Sequence, residues 1–296
     1  MHRLILALAA AISLAAESPV HAADPGGLVE REIARLAAPA EGVLGVAAWP
    51  LDGSGPRILV NANQRFPMAS TFKVAVAGAI LAKVDRGEIA LTDLIPIDPG
   101  MVVESEGIAE VARHPGVSLS VANLVELMLT VSDNTATDVL TKLAGGPSAV
   151  TAWVRGQGVE ELRVDRDTAG LLRDFFHIGL GPFPEALAAA RKADPGLDAR
   201  SSLLNPAFDD DPRDTATPLA MARLLERVLT GKALSPAGTK FLTEVMERNT
   251  TGKARIRGRL PQGIVVAEKT GTIGGSLNEV GVITLPGDAG RIVLGV

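Results

Sequence analysis

Apolar residues recur along this chain with two different periods, and the change of period divides it. Over 70–84, Val74, Val76, Ala77, Ile80 and Leu81 form one apolar stripe at helical spacing. Ser70 opens that stretch and Gly87 lies just beyond it, as helix boundaries require. The same reasoning predicts helices over 25–36, 120–129, 134–143, 149–157, 218–229 and 235–248, the last two with Pro or Ser at the start. Short apolar runs predict strands over 43–49, 57–60, 264–269, 279–285 and 291–296, with Asp52-Gly53-Ser54-Gly55-Pro56 turning the first two into a hairpin. The strands come from both ends of the chain and the helices mostly from the middle. This is an α+β pattern: an antiparallel sheet flanked by helices, with a separate all-helical lobe. The expected division is 23–63 with 212–296 for the α/β lobe and 64–211 for the helical one. Met and Leu residues at helical spacing are expected in the core.

The first 22 residues follow a different rule. Arg3 precedes an apolar run over 4–16 that is too short to cross a membrane, and Val20-His21-Ala22 is a small-residue cleavage site. A secretory signal over 1–22 and a periplasmic mature chain are expected, without stable membrane association. There is no cysteine in the chain, which excludes disulfides, a thiol nucleophile and a lipid-modified cysteine. The net charge is −5, with no basic run, which argues against nucleic acid as a partner. Of four histidines two lie in the leader, and His114 and His177 lack ligand partners in sequence. No metal and no cofactor are expected. His114 sits in a turn-like Arg113-His114-Pro115-Gly116, a poor place for a triad base.

Candidate chemistry lies in three short motifs: Ser70-Thr71-Phe72-Lys73, Ser132-Asp133-Asn134 and Lys269-Thr270-Gly271. Each alone is weak. A lone S-x-x-K is usually an N-cap serine with a solvated lysine, a lone S-D-N a turn and a lone K-T-G a loop. In this order, about 60 and then about 135 residues apart, they describe an acyl-transfer site without histidine or metal. Ser70 and Lys73 share a helix face, so the amine can serve the hydroxyl as base. That requires the Lys73 pKa to fall well below ~10.4, through burial or a second cation such as Lys269. Ser132 can pass a proton to a leaving nitrogen, and Asn134 can hydrogen-bond a substrate amide.

The motifs and their surroundings resemble the class A serine β-lactamases, within the wider penicillin-recognising serine hydrolases. The resemblance spans nearly the whole mature chain. It rests on Phe66-Pro67-Met68-Ala69-Ser70-Thr71-Phe72-Lys73, on the LMLTVSDNTATDVL segment of 127–140, on Arg213-Asp214-Thr215-Ala216-Thr217-Pro218, on Asn249-Thr250-Thr251-Gly252 and on Lys269-Thr270-Gly271-Thr272. It implies the β-lactamase/transpeptidase-like fold with Ser70 between two lobes. It also implies catalytic roles for Ser70, Lys73, Ser132 and Lys269, and substrate contacts from Asn134, Thr270, Gly271 and Thr272.

Three departures qualify it. The family carries a loop Glu that orients the hydrolytic water. Here Asp165 and Arg166 match that loop, Thr168 stands at the Glu position, and Leu172 replaces an Asn. Asp165 and Arg166 are expected to tie the loop structurally. About forty residues then separate Leu172 from Arg213, including a helix-like 185–192. Ready acylation and slow deacylation are expected, with Asp167, Asp209 and Asp210 as the alternative acids. At the strand position where many members place a carboxylate-binding arginine stands Asn278, which leaves Arg255 as the candidate anchor. Finally, 291–296 reads as a strand in mid-course, and the family's C-terminal helix has no counterpart, so the α/β lobe is expected to lack that cover.

The expected activity is hydrolysis of a β-lactam through an acyl-Ser70 intermediate by a monomer. A peptidoglycan DD-peptidase or esterase, and a β-lactam binder that does not turn over, are the alternatives.

Overall fold

The computed structural model describes residues 25–296 except 41 and 113; the expected leader lies outside the described residues. Helix α1 (Pro25–Ala37) leads into β1 (Val46–Pro50) and β2 (Ile58–Val60). Strand β3 (Phe66–Pro67) then precedes a 3-10 turn, Ala69–Phe72, and α2 (Lys73–Asp85). Next come β4 (Leu94–Pro96), α3 (Ile108–Val111), β5 (Ser118–Ser120), α4 (Val121–Thr130), α5 (Asn134–Ala144) and α6 (Pro147–Gly156). After these follow α7 (Thr168–Phe176), α8 (Phe183–Ala193), α9 (Pro206–Asp209) and β6 (Thr215–Ala216). The chain closes with α10 (Pro218–Leu229), α11 (Pro236–Glu247), α12 (Ile256–Arg259), β7 (Val265–Ile273), β8 (Ser276–Thr284) and β9 (Arg291–Gly295).

The main sheet is antiparallel with strand order β2-β1-β9-β8-β7. Its two halves meet where β1 pairs β9, with Ala48 opposite Leu294. Helix α10 packs against β1, β8 and β9, and α11 against β7. Local chemistry sets the helix starts. Ser120, Asp133, Asp167, Thr217 and Ser235 each accept a backbone N–H of the first turn of α4, α5, α7, α10 and α11.

Helix α2 is buried from Lys73 to Ala82 and so reads apolar on every side. It sits among α4, α5, α6 and α11 in the main core. Gly78 makes room for α6: a Cβ there would lie 2.2 Å from the Trp153 ring. The helix expected from Ser70 is in fact two elements. Ala69 takes a left-handed φ of 45°, which starts the 3-10 turn, and the α-helix begins only at Lys73.

The region read as a loop around 168 is also different, because Thr168–Phe176 is helical. The long segment to Arg213 folds on itself and on the rim of the helical region. Phe183 and Leu187 of α8 pack with Ile178, Leu197 and Val103, and Arg191 pairs with Glu104 at 2.6 Å. A neck closes this segment. Arg163 N donates to Thr215 O at 3.0 Å, and Asp165 N and Arg166 N both donate to Asp214 Oδ1. Arg166, its side chain 9% exposed, pairs with Asp214, Asp174 and Asp211, and Asp165 with Arg163. The tie expected of Asp165 and Arg166 is therefore made across the neck and not between the two.

Arg166→Ala leaves Asp214 buried without its cation. The expected cost is about 3 kcal/mol, measured as a lowered urea midpoint with an unchanged m-value. A midpoint equal to that of wild type would mean that the neck holds without Arg166.

Candidate active site

Ser70 is the second residue of the 3-10 turn, and that turn packs directly on β7. The contact needs a glycine. A Cβ on Gly271 would lie 2.6 Å from Met68 O and 3.1 Å from Ser70 N. Gly271 thus serves close approach of the strand to Ser70, and β7 runs straight through Lys269-Thr270-Gly271 to a Gly274-Gly275 turn. The strand expected to end at Lys269 is four residues longer.

Lys73, one turn after Ser70, is fully buried. Its Nζ donates to Ser132 O (2.7 Å), Ser132 Oγ (3.1 Å) and Asn134 Oδ1 (2.8 Å). These three acceptors use all three protons of an ammonium, and Ser70 is not among them. Lys269 is equally buried and donates to Ser132 Oγ (3.0 Å) and Thr270 O (2.7 Å). The hydroxyl of Ser132 thus accepts from two lysines, which leaves its own proton free to point elsewhere. Burial holds the Lys73 pKa down to about 7, against the pull of Asp138 and then Asp133. Burial, then Lys73 and Arg255, push Lys269 well below its ordinary value.

The segment 131–134 that presents Ser132 is held rigidly. Ser132 has a left-handed φ of 61°. Asp133 caps α5 through Ala136 N and accepts Ile108 N, both at 2.6 Å. Asn134 N donates to Ser105 Oγ and Asn134 Nδ2 to Glu104 O. Across the cleft, Thr270 Oγ1 meets Thr251 Oγ1 at 2.6 Å. Arg255 lies against β7 and β8, donating to Asn278 O (2.9 Å), Thr272 Oγ1 (2.5 Å) and Gly271 O (3.3 Å). Asn278 turns away and donates to Pro67 O.

A family model described as the β-lactamase enzyme family matches residues 28–296. The chain belongs to the class A β-lactamases. It is 34% identical to the β-lactamase Toho-1 of Escherichia coli over 256 residues, 86% of this chain and 76% of that protein. It is 32% identical to the β-lactamase CTX-M-8 of Citrobacter amalonaticus over 294 residues, 99% of this chain and 88% of that one. Among solved structures, an ancestral (GNCA) class A β-lactamase superposes with a TM-score of 0.73 at 36% identity, covering 90% of this chain and 89% of that one.

Thr168 begins α7 and is buried. Asp167 is exposed and caps α7 through Gly170 N at 2.8 Å. Asp209 lies 3.5 Å from Ser276 Oγ, at the β7–β8 turn. Sequence reasoning passed over Asp138, a buried carboxylate on α5. Its signal was the four-residue step from Asn134, which puts both on one helix face. It also passed over Glu268 and Glu279, buried together behind β7 and β8, where burial and then Glu279 raise the Glu268 pKa to about 7.

A base works only when unprotonated. With Lys73 lowered to about 7, the acylation rate should rise with pH through about 7 and then level off. Stopped-flow acylation by a chromogenic cephalosporin measures this. A rate still climbing near pH ~10 would assign the base elsewhere.

Proposed function

We propose that this enzyme opens β-lactam rings by acyl transfer to Ser70 and then hydrolyses the acyl-enzyme. The observation that carries this reading is the convergence of Lys73 and Lys269 on Ser132 Oγ beside the nucleophile's turn. Neutral Lys73 takes the Ser70 proton as Ser70 Oγ bonds to the lactam carbonyl carbon. The ring C–N bond breaks, and the nitrogen takes the free proton of Ser132, which Lys73 or Lys269 replaces. Backbone N–H groups of Ser70 and Thr272 stabilise the oxyanion. Two features support that role: Gly271 brings β7 onto Ser70, and β7 is the edge strand, with N–H groups facing away from β8.

Asn134 holds the substrate's side-chain amide. Thr270, Thr272 and Arg255 hold its carboxylate, Arg255 in place of a strand arginine. Gly271 contributes backbone only. The leader reading supports export to the periplasm. No helix among the described residues is long and apolar enough to cross a membrane. The working unit in this reading is a monomer acting on a small β-lactam.

Rapid-quench intact-mass spectrometry with benzylpenicillin should show the wild type plus one penicillin mass. Ser70→Ala should show none. An adduct of equal yield in that variant would remove Ser70 as nucleophile.

A further inference from the structure

Asp138 has no part in the acylation described above, yet it is sealed beside the reacting groups. It is 4% exposed and lies one helical turn beyond Asn134, on the α5 face that meets Lys73. It is the strongest opposite charge acting on Lys73. Its two oxygens accept Thr168 N (2.6 Å) and Ala169 N (2.9 Å), the first amides of α7. Each oxygen keeps a further lone pair. The Thr168 hydroxyl is buried in the same place, its residue 6% exposed, and it acts on Asp138, where it favours the ionised carboxylate. A hydroxyl that donates to a carboxylate keeps its oxygen lone pairs, which can accept from a water molecule. One turn further along α7, Leu171 packs in one cluster with Ala69, the neighbour of Ser70.

We propose that Asp138 is the carboxylate that activates the deacylating water, with the Thr168 hydroxyl holding that water. The inference rests on the acyl-Ser70 reading. The water oxygen bonds to the ester carbonyl carbon as one water proton passes to Asp138. When the tetrahedral intermediate collapses, the bond from carbon to Ser70 Oγ breaks and its electron pair leaves on Oγ. Lys73 protonates Oγ and recovers a proton from Asp138. The ring-opened acid departs, with Ser70 protonated and Asp138 ionised again. In this arrangement α5 supplies the carboxylate, and the loop supplies backbone N–H groups and a hydroxyl.

The charged groups facing Asp138 are Lys73 of α2 and Asp167 at the start of α7, with Asp133 acting on the same lysine. Burial and then Asp167 raise the Asp138 pKa to about 7, opposed by the Ala169 and Thr168 amides and the Thr168 hydroxyl. The ionised base is therefore lost as pH falls through about 7, and deacylation slows with it.

Rapid-quench mass spectrometry with benzylpenicillin separates formation of the acyl-enzyme from its decay. Asp138→Asn should acylate within a few-fold of wild type. Its adduct should decay at least ~100-fold more slowly, the scale of general-base loss, and the decay should no longer rise through neutral pH. Decay at the wild-type rate with the wild-type pH dependence overturns the proposal. Thr168→Val, close in shape, should slow decay about tenfold and leave acylation unchanged. If Asp138→Asn does not fold, an unchanged decay in Thr168→Val overturns the proposal on its own. A wild type that forms no adduct and opens no lactam fails the acyl-Ser70 reading itself, a different result from normal decay in the variants.

Discussion

Two ammonium groups, those of Lys73 and Lys269, are sealed from solvent around a single hydroxyl, Ser132 Oγ. Taking a charge out of water costs several kcal/mol even after relaxation, and only well-placed partners offset it. Lys73 finds three acceptors and nearby carboxylates; burial still prevails and its pKa falls to about 7. A lysine held at that pKa can lose its proton near neutral pH, as a general base must. The two lysines and the hydroxyl they share come from separate parts of the chain, so the arrangement exists only when α2, the 131–134 segment and β7 are locked together. The left-handed Ser132 and the Asp133 cap lock the second, and Gly271 against Met68 and Ser70 locks the third.

The long segment between α7 and β6 is compatible with this site because its ends are fixed. Arg166, Asp214 and the backbone pairing of Arg163 with Thr215 hold the neck, so extra length outside it costs little closure entropy. Its outer part rests on the other rim of the cleft, through α8 against Val103 and Arg191 against Glu104. Those two rim residues adjoin Ser105 and Asn134, so the segment braces the same wall that orients Lys73. Helix α7 enters at the neck and delivers its first amides to Asp138, which joins the segment to α5.

The helices around the core were legible because their caps and stripes agree. Helix α10 runs from Pro218 to Leu229, as the pattern predicts. Two errors share a cause: a residue was given its commonest local meaning. The strand reads as ending at Lys269, short of Gly271, whereas Gly271 makes a close contact within it. Asp167-Thr168-Ala169-Gly170 reads as loop, although Asp167 followed by Leu171, Leu172, Phe175 and Phe176 is a capped, amphipathic helix. The three motifs were legible as chemistry. What they do not encode is which acceptors each lysine takes. In the resting site Lys73 donates to Ser132 and Asn134. That choice depends on burial and on tertiary neighbours such as Asp138.

The account turns on whether Lys73 is a base near neutral pH in the folded enzyme. Heteronuclear NMR of protein labelled at lysine side chains, with the Lys73 signal assigned by Lys73→Arg, follows that amine directly. The account predicts a titration midpoint of about 7. A Lys73 signal that stays that of an ammonium until pH ~10.4, the ordinary lysine value, would contradict it.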